Sequence, residues 1–274
     1  MTASLITDVA RILADVARTE VMPRWRNLGA GDVAEKTGPE DIVTVADGAA
    51  EAALSARLSA LMPDAAVVGE EAVSADASVR ERLRGAGRVW VIDPIDGTSA
   101  FAAGEPEFAL MVALVEGGRP VAGWIHAPAL GVTTCGGAAA GVYEGDAATG
   151  ALQPLVAPAL PDAMGGLVGL LGRRNISEAR RAELKSKESH FRALDGVTCA
   201  GVDYARIARG VAHFALYSKS EPWDHLPGLA ILSAFGFEAA KHDGSPYRPG
   251  DNSGGLLVAP DAARLAAIRK VMLG

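Results

Sequence analysis

The chain has 274 residues, of which 49% are hydrophobic and 22% are charged, so a compact globular protein is expected. Its formal net charge of −7 and its lack of a clustered basic stripe argue against a nucleic-acid-binding surface. Gly, Pro or charged residues interrupt every apolar stretch well before the roughly 18 residues that a membrane span needs. The two cysteines, Cys135 and Cys199, have neither metal-ligand spacing nor a disulfide framework. These features predict a cytoplasmic protein with neither nucleic acid nor membrane as a partner.

In chain order, the first predicted elements are helices separated by turns. Apolar residues such as Leu5, Val9 and Leu13 recur at helical spacing and predict an amphipathic helix over residues 4–18. The turn-rich piece "NLGAGDVAEKTGPEDIVTVAD" follows, and then a second helix that Pro63 closes. Next come a short strand in "AAVVGEE", a short helix in "SVRERLRGAG" and a strand in "VWVIDPID" that runs into a loop.

In the rest of the chain, the predicted pattern changes from consecutive strands to strands mixed with helices. From Phe108 to about Leu155, β-rich runs alternate with Gly and Pro, which predicts an antiparallel meander. Beyond it, the predicted strands are "LVGLLG", "VAHFALYS" and "GGLLVAP", and the predicted helices are "SEARRAELKSK", "GVDYARIARG", "WDHLPGLAILSAFG" and "DAARLAAIRKVML". We therefore expect an α+β half with an antiparallel sheet over residues 1–145 and an α/β half over residues 146–274.

The stretch "VWVIDPIDGTSAF" ends a buried-looking strand on two carboxylates and a turn. A residue before proline is driven to extended geometry, so Asp93 is expected at the strand end, with Asp96 turning toward the same spot. Gly97 allows close backbone approach, and Thr98 is expected to cap a helix whose N–H groups face an anion. Carboxylates repel such an anion unless divalent cations lie between them. The alternative is an ordinary Asp-Pro turn.

Acidic residues at other element ends fit the same hypothesis, and each also has a simpler explanation. Glu70 and Glu71 end a predicted strand, where solvated surface glutamates are common. Asp224 precedes an apolar helix and would serve as its cap. Asp47 lies three residues after Thr44, which is the spacing of a capping box at the start of the second helix.

Taken together, these stretches resemble the inositol monophosphatase family, a group of lithium-sensitive, magnesium-dependent phosphatases. The resemblance runs over nearly the full chain in the family's order, through "EKTGPEDIVTVAD", "VVGEE", "WVIDPIDGTSAF", "GEPEFALMVAL" and "PWDHLPGLAILSAFG". It implies a layered αβαβα sandwich of the inositol monophosphatase / fructose-1,6-bisphosphatase type. Most metal ligands would then lie in the first half, with Asp224 supplied by the second. Family members are commonly homodimers, so a homodimer is expected.

The resemblance also implies roles for single residues around two or three Mg²⁺ ions per site. Metal ligands would be Glu70, Asp93, the carbonyl of Ile95, Asp96 and Asp224. Backbone N–H groups of Gly97, Thr98 and Ser99 would bind the phosphate. Asp47 and Thr98 would polarise the attacking water, with Glu70 assisting, and these three residues are the expected catalytic set.

The implied activity is hydrolysis of a small phosphate monoester by metal-activated water, with no covalent intermediate, and inositol phosphate is the first candidate substrate. Tyr217 stands where animal inositol enzymes have an acidic residue, and Asp203-Tyr204 stands where they have small residues. The candidate substrate-binding residues are Lys36, Tyr204, Tyr217, Lys219 and His225.

Two alternatives remain open. Relatives that act on histidinol phosphate or on 3'(2'),5'-bisphosphate nucleotides often have Lys directly after Asp-Gly-Thr, where this chain has Ser99. The same chemistry on one of those substrates is the second hypothesis. A regulatory binding protein on this fold is the third, and it ranks last because all of the implied metal-binding acids are present.

Overall fold

The computed structural model describes residues 2–38, 41–172 and 177–274. Pro39 and Glu40 of the stretch "EKTGPEDIVTVAD" lie outside the described residues. The helices are α1 (Ala3–Val16), α2 (Val45–Leu61), α3 (Glu70–Ala75), α4 (Thr98–Ala102), α5 (Glu178–Ser186), α6 (Ala200–Ala208), α7 (Pro222–Ser233) and α8 (Ala262–Leu273). The strands are β1 (Val33–Gly38), β2 (Asp41–Thr44), β3 (Ala66–Gly69), β4 (Arg88–Asp96), β5 (Ala109–Glu116), β6 (Arg119–Ala127), β7 (Val132–Gly137), β8 (Gly141–Asp146), β9 (Ala151–Leu155), β10 (Val168–Leu171), β11 (Ala193–Gly196), β12 (Phe214–Tyr217), β13 (Glu238–Lys241) and β14 (Leu256–Ala259).

Two large sheets organise the molecule. The first has seven strands in sequence order from β3 to β9, and all neighbours are antiparallel except β3 and β4. The second has five strands in the order β11-β10-β12-β14-β13 and mixes parallel with antiparallel pairs. A separate hairpin pairs β1 with β2.

Alternating side chains cover both faces of each sheet. In β5, Leu110 and Val112 pack with α1 and α2, whereas Met111 joins the core that contains α6. In β12, Ala215 joins that same core, and Leu216 packs on the other face with α8. Because neighbouring strand residues point to opposite faces, helices must lie on both sides of each sheet. The result is a layered α/β sandwich, with α1 and α2 outside the first sheet, α6 and α7 between the sheets, and α5 and α8 outside the second, as the sequence predicted.

Close contacts lock the helices onto the first sheet. Trp124 of β6 is fully buried and donates its indole N–H to the carbonyl of Ile6 in α1, at 2.8 Å. On the opposite face, Gly123 lies against α7, where an added Cβ would stand 1.9 Å from the carbonyl oxygen of Pro227. Only glycine therefore permits this approach between β6 and α7.

The structure differs from the sequence prediction in two places. The piece expected to be turn-rich contains the β1–β2 hairpin. The edge strands β11 and β13 of the second sheet were not predicted. The last strand of the first sheet, β9, ends at Leu155, where the antiparallel meander was expected to end, and the division into halves at residue 145 stays a prediction.

None of the described helices has the length and apolar character needed to cross a bilayer.

Candidate active site

A β-bulge at the end of β4 places two carboxylates at one cleft. Asp93 lies opposite Met111 of β5, but Asp96 lies opposite Ala109, so three residue steps on β4 face two on β5. Such an extra residue bends a strand and changes where its side chains point. Pro94 lies within this irregular part and has no N–H to donate to the ladder.

The cleft has a volume of about 500 Å³ and brings together acids from both halves of the chain. Its lining includes all of the residues that the sequence associated with metal and phosphate, namely Glu70, Asp93, Ile95, Asp96, Gly97, Thr98, Ser99 and Asp224. Of the candidate substrate-binding residues, Lys36 and Lys219 line it. The placement agrees with the expected grouping, and the roles of these residues stay predictions.

The acids of the cleft raise one another's pKa. Burial raises the pKa of Asp93 well above its ordinary value, and the charges of Glu70, Asp96 and Asp224 raise it further. Burial likewise raises the pKa of Asp224, with Asp96 and Glu70 as the next causes. This mutual repulsion means that the cleft holds more negative charge than its protein cations balance.

Lys36, on β1, is the cation closest to this cluster in the described contacts. Its Nζ lies 2.8 Å from Oε1 of Glu70 and 2.6 Å from Oε1 of Glu71. Burial lowers the pKa of the Lys36 ammonium, but the two glutamates outweigh burial and leave it raised. Burial raises the pKa of Glu70 to about 7, although Lys36 opposes the shift.

The donor set of the cleft fits a hard divalent cation. Asp93 Oδ1 is buried and has no hydrogen-bond partner among the described residues. Carboxylate and carbonyl oxygens are the ligands that Mg²⁺ and Ca²⁺ prefer. No three or more His, Cys, Asp or Glu side chains in the described ranges already form a metal-binding cluster. The acids nevertheless line one cavity and raise one another's pKa.

Asp47 reaches the edge of the cleft through Thr98. Thr44 donates to Asp47 Oδ2 from its N–H at 2.8 Å and from its hydroxyl at 2.6 Å, and the capping box that the sequence predicted is present. Thr98 Oγ1 lies 3.2 Å from Asp47 Oδ1 and 2.9 Å from the carbonyl oxygen of Ile95. Burial raises the pKa of Asp47 to about 6, against the hydrogen bonds from Thr44.

Three expected local positions were wrong. Thr98 does not cap α4: Gly97 is the cap, with φ of +86°, and the Thr98 hydroxyl contacts Asp47 and Ile95 instead. Glu70 begins α3 and does not end the preceding strand. Asp224 lies inside the first turn of α7, after the capping position at Glu221.

Asp96 also joins the two layers. Its Oδ2 accepts a hydrogen bond of 2.6 Å from the backbone N–H of Gly201 in α6. An added Cβ at Gly201 would meet Ala109 and Met111 of β5 at 2.9 and 3.0 Å, so α6 packs directly on the first sheet here. The proposed ligand is thereby fixed to the helix layer between the sheets.

The remaining candidate substrate residues are buried among α6, β12 and α7 and do not line the cleft. Tyr204 Oη lies 3.2 Å from His225 Nδ1, and His225 Nε2 lies 3.1 Å from the carbonyl oxygen of Lys219. Since only an N–H can donate to that carbonyl, the neutral ring has its proton on Nε2 and accepts from Tyr204 at Nδ1. Burial lowers the pKa of His225 to about 4, which favours this neutral form. Tyr217 is stacked on Tyr204.

Another part of the cleft wall was not predicted from any sequence pattern. The guanidinium of Arg80 lies 4.8 Å from the ring centre of Trp223, and its Nη2 is 2.7 Å from Glu221 Oε2. All three residues line the cleft together with Asn252. Arg80 lies in a polar 3₁₀ stretch, Ala77–Arg84, where the sequence predicted a short helix and no functional residue.

A layered α/β sandwich with an acid-lined cleft between its layers defines the class, and solved structures of that class match closely. A Thermotoga maritima IMPase superposes with a TM-score of 0.77 at 24% identity, over 96% of this chain and 94% of that one.

The sequence comparisons then give the family. The profile of the inositol monophosphatase family matches residues 3–272, so the chain belongs to the inositol monophosphatase family. A fructose-1,6-bisphosphatase/inositol-1-monophosphatase of Thermotoga maritima is 27% identical over 216 residues, which are 79% of this chain and 77% of that protein. A histidinol-phosphatase of Streptomyces coelicolor is 39% identical over 128 residues, 45% of this chain and 44% of that protein. Members of this family are phosphatases that hydrolyse phosphoric monoesters, and this chain is a phosphatase of that kind. The family is generally metal-dependent.

Proposed function

We propose that the chain is a Mg²⁺-dependent phosphatase that converts an inositol phosphate, or a similar small polyol phosphate, and water to the free alcohol and inorganic phosphate. The observation that carries this proposal is the gathering of four acids around one cleft, one of them buried and three half-buried. They are Glu70, Asp93, Asp96 and Asp224, with the Ile95 carbonyl beside them. These five residues would hold two or three Mg²⁺ ions. The family resemblance further suggests a homodimer, and the composition and the two unpaired cysteines suggest a cytoplasmic location.

The chemistry requires that a phosphate dianion accept a nucleophile of like charge. Bound Mg²⁺ would offset the negative charge of the phosphoryl oxygens. It would also lower the pKa of a metal-bound water, which makes that water a better nucleophile at neutral pH. Thr98 and Asp47 would orient the attacking water, because the Thr98 hydroxyl lies 3.2 Å from Asp47 Oδ1. In this arrangement the Asp47 carboxylate would accept the proton that the water loses, by way of the Thr98 hydroxyl. Glu70, at the first position of α3, would be the third catalytic group. The backbone N–H groups of Gly97, Thr98 and Ser99 would bind the phosphate.

A second candidate function uses the same chemistry on histidinol phosphate or on a 3'(2'),5'-bisphosphate nucleotide. The similarity to a histidinol-phosphatase favours it. Ser99 after Asp-Gly-Thr favours the inositol branch instead. Lys36 and Lys219 face the cleft and would contact the substrate, whereas Tyr204, Tyr217 and His225 would have to act from behind its wall. A regulatory binding protein remains the least favoured function.

A phosphate-release screen tests these functions directly. The panel would contain inositol 1-phosphate, histidinol phosphate, adenosine bisphosphate, fructose bisphosphate and glycerol phosphate, each with Mg²⁺ and with EDTA. We expect release from inositol 1-phosphate with Mg²⁺ only. Release that EDTA does not stop would refute the metal dependence, and no release from any compound would favour the binding-protein alternative.

Lithium separates the branches further. We expect millimolar Li⁺ to slow the Mg²⁺-dependent reaction, as the resemblance to a lithium-sensitive family implies. An unchanged rate at millimolar Li⁺, with potassium chloride as the ionic-strength control, would move the chain away from the inositol branch.

A further inference from the structure

Glu51 is a buried acid of α2 that touches none of the cleft directly. Its residue surface is only 7% exposed. Its Oε2 accepts a hydrogen bond of 2.7 Å from the N–H of Glu71, and its Oε1 accepts one of 2.8 Å from the N–H of Ala72. Both carboxylate oxygens are therefore bonded to the backbone at the start of α3.

This contact takes the place of a local helix cap. The residue before α3 is Gly69, which has no side chain to cap the helix. The first N–H groups of a helix have no partner inside it, and a buried start needs one from elsewhere. Glu51 supplies that partner from a different helix, through hydrogen bonds to a carboxylate, which are the stronger kind.

Gly69 is the residue that makes room for this carboxylate. A Cβ at position 69 would lie 2.2 Å from Glu51 Cδ and within 2.5 Å of both carboxylate oxygens. The backbone of Gly69 has φ of −108°, which any residue adopts, so the reason for glycine here is space. Gly69, just before α3, and Glu51, on α2, are thus in close contact, and the contact requires that position 69 have no side chain.

We infer that Glu51 is a positioning residue for the catalytic centre. Asp47 and Glu51 lie four residues apart on α2 and so share one face of that helix. Asp47 contacts Thr98, and Glu51 fixes the turn that begins with Glu70. One helix therefore sets the separation between Asp47 and Glu70. This role rests on the proposed function, because only there do Asp47 and Glu70 act together.

Mg²⁺ binding measured by titration calorimetry tests the inference without any substrate. We expect Glu51→Gln to weaken Mg²⁺ binding by about tenfold, within the range known for partners of metal ligands. Glutamine keeps the side-chain length and one acceptor oxygen. Its NH₂ group replaces the other acceptor and would face a backbone N–H, so one of the two hydrogen bonds is lost. Glu51→Ala removes both acceptors and should weaken binding more.

Asp261→Asn is the matched control. Asp261 caps α8 by accepting from the N–H of Arg264 at 2.7 Å, and it does not line the cleft. It should lower the Tm measured in EDTA and leave the Mg²⁺ affinity unchanged.

Gly69→Ala gives an independent test from the other side of the contact, because its Cβ displaces the Glu51 carboxylate. It should weaken Mg²⁺ binding as Glu51→Gln does. If Glu51→Gln and Gly69→Ala lower the Tm in EDTA but bind Mg²⁺ like the wild type, Glu51 is only structural and the inference is refuted. A wild type that binds no Mg²⁺ refutes the proposed function and the inference together, so the two failures are distinguishable.

Discussion

The acids of the cleft and the polar side chains packed behind it on α6, β12 and α7 differ in burial and in what compensates their polar atoms. The cleft acids are half-buried except for Asp93, whereas the side chains behind the cleft are buried. Asp93 and Asp224 open onto a cavity of about 500 Å³ that a cation and a phosphate can enter. Tyr204 and His225 lie outside that cavity and satisfy each other and the carbonyl of Lys219. Asp203, in the same region, has an ion pair to Arg206 at 3.6 Å, which leaves its pKa raised by burial.

This difference separates residues that would take part in the reaction from residues that support the cleft wall. A buried charge costs several kcal/mol unless a partner compensates it. In the cleft, that partner would come from solution together with the substrate. In the cluster behind the cleft, it must come from the protein, so those residues stabilise the wall and the loop that presents Lys219. Each prediction below would change one of the two regions and leave the other unaltered.

The largest effect is expected for Asp96→Asn. Loss of the charge of one metal ligand weakens cation binding. The bound ions would contribute several kcal/mol of transition-state stabilisation, which is lost with them. We expect turnover to fall by more than about 1,000-fold. Phosphate release at saturating Mg²⁺ measures the loss, and circular dichroism verifies the fold.

Asp64→Asn is the control for this substitution, because Asp64 is an exposed partner of Arg88 far from the cleft lining. Its turnover should equal that of the wild type. Near-normal activity of Asp96→Asn would show that the assignment of the metal ligands is wrong.

Asp203→Asn should stabilise the protein, and increasingly so at higher pH. Burial raises the pKa of Asp203 to about 8, against the opposing charge of Arg206. Because the folded pKa lies above the ordinary value of 3.8, the native state holds a proton that the unfolded state releases. The free energy of unfolding of the wild type therefore falls as pH rises from about 4 to about 8, by on the order of 6 kcal/mol at most from this group.

Urea unfolding in EDTA across that pH range measures this difference, since EDTA removes any contribution from bound cations. Asp195→Asn serves as the control because Asp195 is the exposed partner of the same Arg206. Identical pH slopes for the wild type and Asp203→Asn would contradict the uncompensated burial of this acid.

The smallest effects are expected for a pair of matched tyrosine variants. Tyr204→Phe removes the hydrogen bond to His225 and should cost about 1 kcal/mol of unfolding free energy. Tyr217→Phe should cost nothing or stabilise slightly, because the Tyr217 hydroxyl is buried without a hydrogen-bond partner among the described residues. Unfolding in urea compares the two variants.

The Michaelis constant of the same two variants decides between support and substrate contact. An unchanged KM for the preferred phosphate ester would assign both tyrosines to the support of the wall. A rise in KM would instead favour the substrate-binding role that the sequence predicted.

Periodic signals carried most of the fold prediction. The helices α1 and α2, the antiparallel strands β5 to β9 and the layered arrangement followed from apolar spacing and from the family resemblance, and the structure confirms them. The β1–β2 hairpin was missed because its residues lack the regular apolar–polar alternation of a half-buried strand. Strands β11 and β13 were missed because they are four-residue edge strands.

The site was predictable where residues act through their type and spacing. The acids near the ends of predicted elements could be picked out from the sequence, namely Glu70, Asp93, Asp96 and Asp224. Glu51 does not, because its partners are backbone N–H groups of another helix, and no sequence pattern encodes them.

Side-chain direction was the other limit on the prediction. The register at Tyr217 was read from the family resemblance, which does not say that this side chain faces α6 and not the cleft.

Gly123 shows how far the site's sensitivity reaches beyond the acids. A methyl group there would push α7 away from β6. Asp224 lies on α7, so it would move with that helix. A search for inactivating mutations would therefore recover Gly123→Ala beside losses of the acids themselves. Such a variant would have an intact set of acidic groups held at the wrong separation, and its defect would be one of alignment across the layers.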